Sequence, residues 1–136
     1  MDFGRTILDV KNDKGHVRLY RPKHELVVAV SEGFITRDLW PPQQPVYEQI
    51  LAEVPRLSLY RDAWNVRSVE GEYREASQGF VKQHRERFGE ILFLQRSAVI
   101  ALAINAAALF TRAPLSAVDQ RTFEAKLSQA LGRKAA

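Results

Sequence analysis

Five consecutive apolar residues, Leu26-Val27-Val28-Ala29-Val30, constrain this chain more than any other stretch. A strand with one wet face alternates apolar and polar side chains, whereas an unbroken β-rich run of this length is that of a strand buried on both faces. Such a strand needs cover above and below. The rest of the chain must therefore supply a sheet to continue it and layers to cover it. Ile91-Leu92-Phe93-Leu94 repeats the same signature later in the sequence.

Around these two runs, strand and helix patterns alternate. Residues 6–10 and 17–20 read as short strands joined by Asn12-Asp13-Lys14-Gly15, residue types that supply turn geometry, so a hairpin leads the chain. Ser31-Glu32-Gly33 closes the central strand, and Thr36 or Asp38 caps a following helix whose prolines, Pro41, Pro42 and Pro45, fall at its entry. Tyr47, Ile50, Leu51 and Val54 form its apolar stripe, and Pro55 ends it. A strand over 57–60 leads into a loop over 61–67. Ser68 then caps a long helix over 69–88, with Gly89 in the position of a left-handed C-terminal cap. After 91–94, Ser97 opens a helix over 98–110, read as buried against the sheet. Its apolar stretch is interrupted by Gln95-Arg96-Ser97 and is too short to cross a membrane. Residues 115–118 form a last strand, and Asp119 or Thr122 caps a terminal helix that turns Phe123, Leu127, Ala130 and Leu131 inward. The order β, β, β, α, β, α, β, α, β, α predicts an α/β fold: a mainly parallel central sheet with helices and an N-terminal antiparallel hairpin. Residues 1–132 read as one domain and 133–136 as a frayed C-terminal tail.

Composition narrows the chemistry. The 136 residues include no cysteine, which removes thiol catalysis, disulfides and Cys-ligated metals. His16, His24 and His84 are far apart and fall in no metal-binding spacing, and neither a phosphate-binding glycine loop nor a nucleophile elbow is present. The reading is therefore a protein without catalytic residues, cofactor or metal. The net charge of +4 is spread along the chain among acidic residues, with no basic stripe to suggest nucleic acid. The N-terminus carries no basic segment followed by an apolar core, so a cytoplasmic location is expected.

Three stretches resemble a known family: Leu26-Val27-Val28-Ala29-Val30-Ser31-Glu32-Gly33-Phe34-Ile35-Thr36, then Leu57-Ser58-Leu59-Tyr60-Arg61-Asp62-Ala63-Trp64, and Glu90-Ile91-Leu92-Phe93-Leu94 ahead of an Ala-rich helix. Together with the terminal helix Phe123-Glu124-Ala125-Lys126-Leu127, they are similar to the STAS superfamily, the sulfate-transporter and anti-sigma-factor-antagonist domains. The likeness is greater to its bacterial SpoIIAA-like branch, whose fold is also compared with the CRAL-TRIO lipid-binding domain. The resemblance spans roughly residues 15–132. It implies a non-enzymatic regulatory module that binds a protein partner. In phosphoregulated members a serine within Asp-Ser-Ser/Thr-Gly, at the start of the helix after the third core strand, is phosphorylated. Here Arg67-Ser68-Val69-Glu70-Gly71 lacks that motif and offers only Ser68 in a comparable place.

The candidate sites follow from these placements. Asp62, Trp64, Asn65 and Arg67 fall where a parallel strand ends, the side of an open α/β sheet where ligands bind, and are the candidate partner surface. Ser68 is the candidate phosphorylation site. Arg96 and Ser97, at a helix start, are candidates for an anion, and Asn105, a polar residue inside an apolar helix, for a ligand or a structural hydrogen bond. The alternative function is a carrier or sensor of a small apolar or lipid-like ligand held between helix 98–110 and the sheet, in a pocket lined by Ile100, Ile104 and Leu109. An uncovered face on that helix would instead support self-association, a homodimer being the simplest form.

Overall fold

A computed structural model of the chain describes residues 3–132; the expected tail at 133–136 lies outside the described residues. The elements are β1 (Thr6–Lys11), β2 (Gly15–Lys23), β3 (Leu26–Ile35), α1 (Gln43–Glu53), β4 (Leu57–Val69), α2 (Gly71–Gln83), β5 (Phe88–Leu94), α3 (Ala98–Thr111), β6 (Leu115–Val118) and α4 (Gln120–Ala130), with single-turn 3₁₀ helices at Arg37–Leu39 and Arg85–Arg87. All six strands join one sheet in the order β1-β2-β3-β4-β5-β6. The β1-β2 and β2-β3 pairs are antiparallel, and those from β3 to β6 are parallel. The expected α/β class, leading hairpin and element order are all present.

The apolar run at the start of β3 divides its side chains between two cores. Val27 and Ala29 face a larger core with Leu57 and Leu59 of β4, Tyr47 and Ile50 of α1, and Tyr73 and Phe80 of α2. Leu26 and Val28 face a smaller core with Tyr60, Leu92, Phe123 and Leu127, covered by α4. This is the two-sided burial that an unbroken apolar strand requires. The strand order never reverses, so successive crossovers of one hand keep α1, α2 and α3 on the same face. The sheet consequently lacks the switch-point crevice at which open α/β sheets usually hold ligands.

Several sequence expectations give way to the structure. Residues 31–33 do not close β3, which runs on to Ile35. It passes the hairpin at close quarters: Gly33 has φ of +81°, and a Cβ added there would sit 2.5 Å from the Lys14 carbonyl oxygen. Only glycine fits that approach. Neither Thr36 nor Asp38 caps α1 through its side chain, because both are engaged elsewhere. The Thr36 hydroxyl donates to Asp38 and accepts from the Asn12 amide at 2.7 Å, and the same amide reaches the Asp38 carboxylate, tying the hairpin turn to the end of β3.

The expected loop at 61–67 is strand: β4 has 13 residues, held by β3 through two bulges. The helix expected over 69–88 starts only at Gly71, with Glu70 rather than Ser68 at its N-cap position and no side-chain cap. It ends at Gln83, and Gly89 lies inside β5 rather than at a helix end. Arg87, expected at the end of that helix, serves a different one. Its guanidinium donates to the carbonyls of Leu51, Val54 at 2.7 Å and Pro55 at 3.1 Å, the C-terminal acceptors of α1 and its exit.

The largest departure is α3, expected to be buried. Val99, Leu102, Leu109 and Phe110 are 76%, 71%, 84% and 69% exposed, and Thr111 alone among its residues is buried. No helix of the described residues is long and apolar enough to cross a membrane.

Candidate functional site

The two bulges in β4 create the geometry beneath α3. From Val30–Asp62 the β3-β4 register advances to Glu32–Asn65, and from Gly33–Val66 to Phe34–Ser68, so β4 gains one residue at each step. Each extra residue shifts the alternation of faces. In place of the strict period of two, Arg61, Ala63, Val66 and Val69 all point to the α2/α3 side. The Asp62 carboxylate stabilises the first bulge by accepting the Trp64 backbone N–H at 3.1 Å. Asp62 thus has a backbone partner of its own.

On that side the helices leave a gap. A cavity of about 360 Å³ lies between the sheet, α2 and α3, with Ile100, Ala103 and Ile104 of α3 on one wall, Tyr73 and Val81 of α2 on another, and Phe93 of β5 on the floor. Ile100 and Ile104 were expected there. Leu109 is not a lining residue; it faces outward on the exposed side of α3.

Arg61 is a cavity residue that pattern reading of the sequence did not pick out. On the sheet floor beside the Phe93 ring, its guanidinium carbon is 5.3 Å from the ring centroid. Its Nε is buried and makes no hydrogen bond, and among the described residues no carboxylate forms an ion pair with it. Its neighbour Tyr47 is fully enclosed, and its hydroxyl also makes no hydrogen bond. Burial pushes that hydroxyl up to about 12 against the pull of the Arg61 charge. Tyr73, on the cavity wall, is fixed from behind by the buried Gln43, whose amide donates to its hydroxyl at 2.9 Å and to the Leu39 carbonyl at 2.8 Å. The signal for Arg61 was the alternation Leu57, Leu59, Arg61. It places a cation on the buried face once the strand is known to continue.

The other candidates lie at the far end of the parallel strands. Trp64, Asn65, Arg67 and Arg96 line an open hollow of about 670 Å³ together with the hairpin turn. The Arg96 guanidinium lies over the Trp64 ring at 4.7 Å and reaches the Asn65 side-chain oxygen at 3.5 Å, joining two candidates 31 residues apart. Asn65 and Arg67 are exposed, while Asp62 and Trp64 are half-buried. Ser68 is exposed near the end of β4, opposite Phe34, two residues before Glu70, which holds the N-cap position of α2. Ser97 is the N-cap of α3, accepting the Ile100 N–H at 3.3 Å. Asn105 accepts the Ala117 backbone N–H at 3.1 Å and so fastens α3 to β6. No group of three or more potential metal-binding side chains occurs among the described residues.

No protein-family model matches the chain, and no curated protein matches it in sequence. In three dimensions it is similar to the crystal structure of an uncharacterised protein of the DUF3478 family, with a SpoIIAA-like fold, from Shewanella loihica PV-4. The TM-score is 0.66 at 14% identity, over 88% of this chain and 98% of that one. The fold is therefore SpoIIAA-like, as the sequence resemblance implied.

Proposed function

We propose that this SpoIIAA-like chain is a non-enzymatic binding module that holds a small, largely apolar molecule between α3 and the sheet, as a carrier or sensor. The observation that carries the reading is the cavity of about 360 Å³, walled chiefly by apolar side chains under a helix that is itself mostly uncovered. Well-packed interiors leave few voids of this size, whereas small-molecule sites begin at about 300 Å³. Filling the gap with an apolar ligand would remove from water both the cavity wall and the inner side of α3.

Ala63 stands on the sheet floor, so Ala63→Phe places a ring in the cavity. An environment-sensitive apolar fluorophore should bind the wild-type protein at one site and bind the folded variant at least about tenfold more weakly. Equal binding by the two proteins, or none by the wild type, counts against the reading.

A second reading rests on a separate observation, the Arg96–Trp64–Asn65 cluster beside the exposed Arg67. This surface suits a protein partner in a regulatory setting, with Ser68 next to it as the position where phosphorylation would reverse the local charge. Arg67→Glu should then abolish partner capture and leave fluorophore binding intact. The exposed apolar face of α3 offers a homodimer contact, which sedimentation at increasing concentration would reveal.

A further inference from the structure

The cavity has a sign as well as a shape. Two arginines, Arg61 and Arg74, line it, and no Asp or Glu does. Arg74 has a partner, donating to the Val69 carbonyl at 3.3 Å. Arg61 is different. Its charge lies against Phe93 on the cavity side of the sheet, with an enclosed Nε whose one polar neighbour is the uncharged Tyr47 hydroxyl, outside hydrogen-bond geometry, and among the described residues no carboxylate is paired with it. The Tyr47 hydroxyl beside it is held in its neutral form by burial and does not offset the charge. Arg61 is half-buried, and a cation with part of its guanidinium enclosed and no counter-ion is less favourably placed than one that is paired.

We infer that the ligand brings the missing anion: an elongated apolar molecule with a single carboxylate head, whose head pairs with the Arg61 guanidinium and whose tail lies along Ile100 and Ile104 under α3. This deepens the cavity reading and rests on it. A planar guanidinium matches a carboxylate through parallel N–H donors, and such a charge-assisted contact is stronger than a neutral hydrogen bond. The walls away from Arg61 and Arg74 are chiefly aliphatic and aromatic, which suits an uncharged tail. Arg61 would thus select for the head group, while the α3 wall would select for the tail.

Calorimetric titration of the full chain with decanoate and with decanol, which share a tail and differ in the head, tests this directly. Decanoate should bind about 10- to 100-fold more tightly than decanol, the range expected of a charge-assisted hydrogen-bonded pair. Arg61→Met should erase that preference while leaving decanol affinity within about threefold; Arg61→Lys, which keeps the charge but loses the fork, should retain part of it. If both ligands bind the wild type equally, or Arg61→Met keeps the carboxylate preference, the head-group inference is overturned and the cavity reading stands. If neither ligand binds the wild type, the cavity reading falls and takes the inference with it. The wild-type comparison decides the matter even where Arg61→Met fails to fold.

Discussion

At Tyr47 and Arg61 the chain keeps polar atoms in an apolar face without giving them hydrogen bonds, and the cost at Tyr47 is separable from any ligand. An unpartnered buried hydroxyl is destabilising, so Tyr47→Phe should gain about 1 kcal/mol in denaturant unfolding at neutral pH. The pH dependence has a definite sign. Burial raises the Tyr47 hydroxyl from 10.0 to about 12 in the folded chain, so its contribution is intact below pH 10 and lost as pH rises through 12. The wild type should therefore lose stability along that alkaline limb, and Tyr47→Phe should flatten it. Some slope should remain from Tyr60, whose hydroxyl is raised by burial and by donating to Glu90 at 2.9 Å. An alkaline limb equally steep in both proteins would show that Tyr47 is not the group being titrated.

Between elements, Arg87 joins α1 rather than ending the helix in which the sequence pattern placed it. Helix 69–88 looked continuous because apolar spacing carries on past Gln83, yet the chain turns through Arg85–Arg87 and Phe88 already belongs to β5. That turn brings the Arg87 guanidinium to the exposed carbonyl end of α1. Arg87→Met should cost about 1.5–3 kcal/mol, the worth of hydrogen bonds to a charged group, and thermal melts of the two proteins would show it. A variant that melts with the wild type would mean that water caps α1 equally well. The elements that were legible were those whose period was clean: the double-faced run of β3, the Tyr47-Ile50-Leu51-Val54 stripe of α1, the Ser97 and Asp119 caps and the edge strand β6. The second half of β4 was not, for a physical reason. Its two bulges put Ala63, Val66 and Val69 on one face at a spacing of three, which matches neither the strand nor the helix period, and a loop was the natural inference. The candidate site was half legible for the same reason. Ile100 and Ile104 follow from helix periodicity, but Arg61 becomes a cavity residue only after β4 is known to extend beyond Tyr60.

For the molecule as a whole, an unreversed strand order places three helices on one face of the sheet and one on the other, and the cost of that arrangement falls on α3. Sequence showed that helix 98–110 was apolar all round, which ordinarily means a helix enclosed by others; it could not show that α1 and α2 had already taken the central part of that face. α3 packs against β6 at the sheet edge, is pinned there by Asn105, and spans the cavity instead of a filled core. Its opening therefore exposes little that is not already exposed, whereas opening β3 exposes Leu26, Val27, Val28 and Ala29, all buried. Native-state hydrogen exchange should accordingly separate the two: α3 amides exchanging through a sub-global opening of lower free energy, and β3 amides only through global unfolding. A ligand in the cavity binds the closed form alone, so at a concentration of 100 times its dissociation constant it should raise the α3 opening free energy by about 2.7 kcal/mol. Exchange of α3 at the same free energy as β3 in the unliganded protein would show that the helix is held by the sheet without help. In that case a filled cavity would not be what completes the fold.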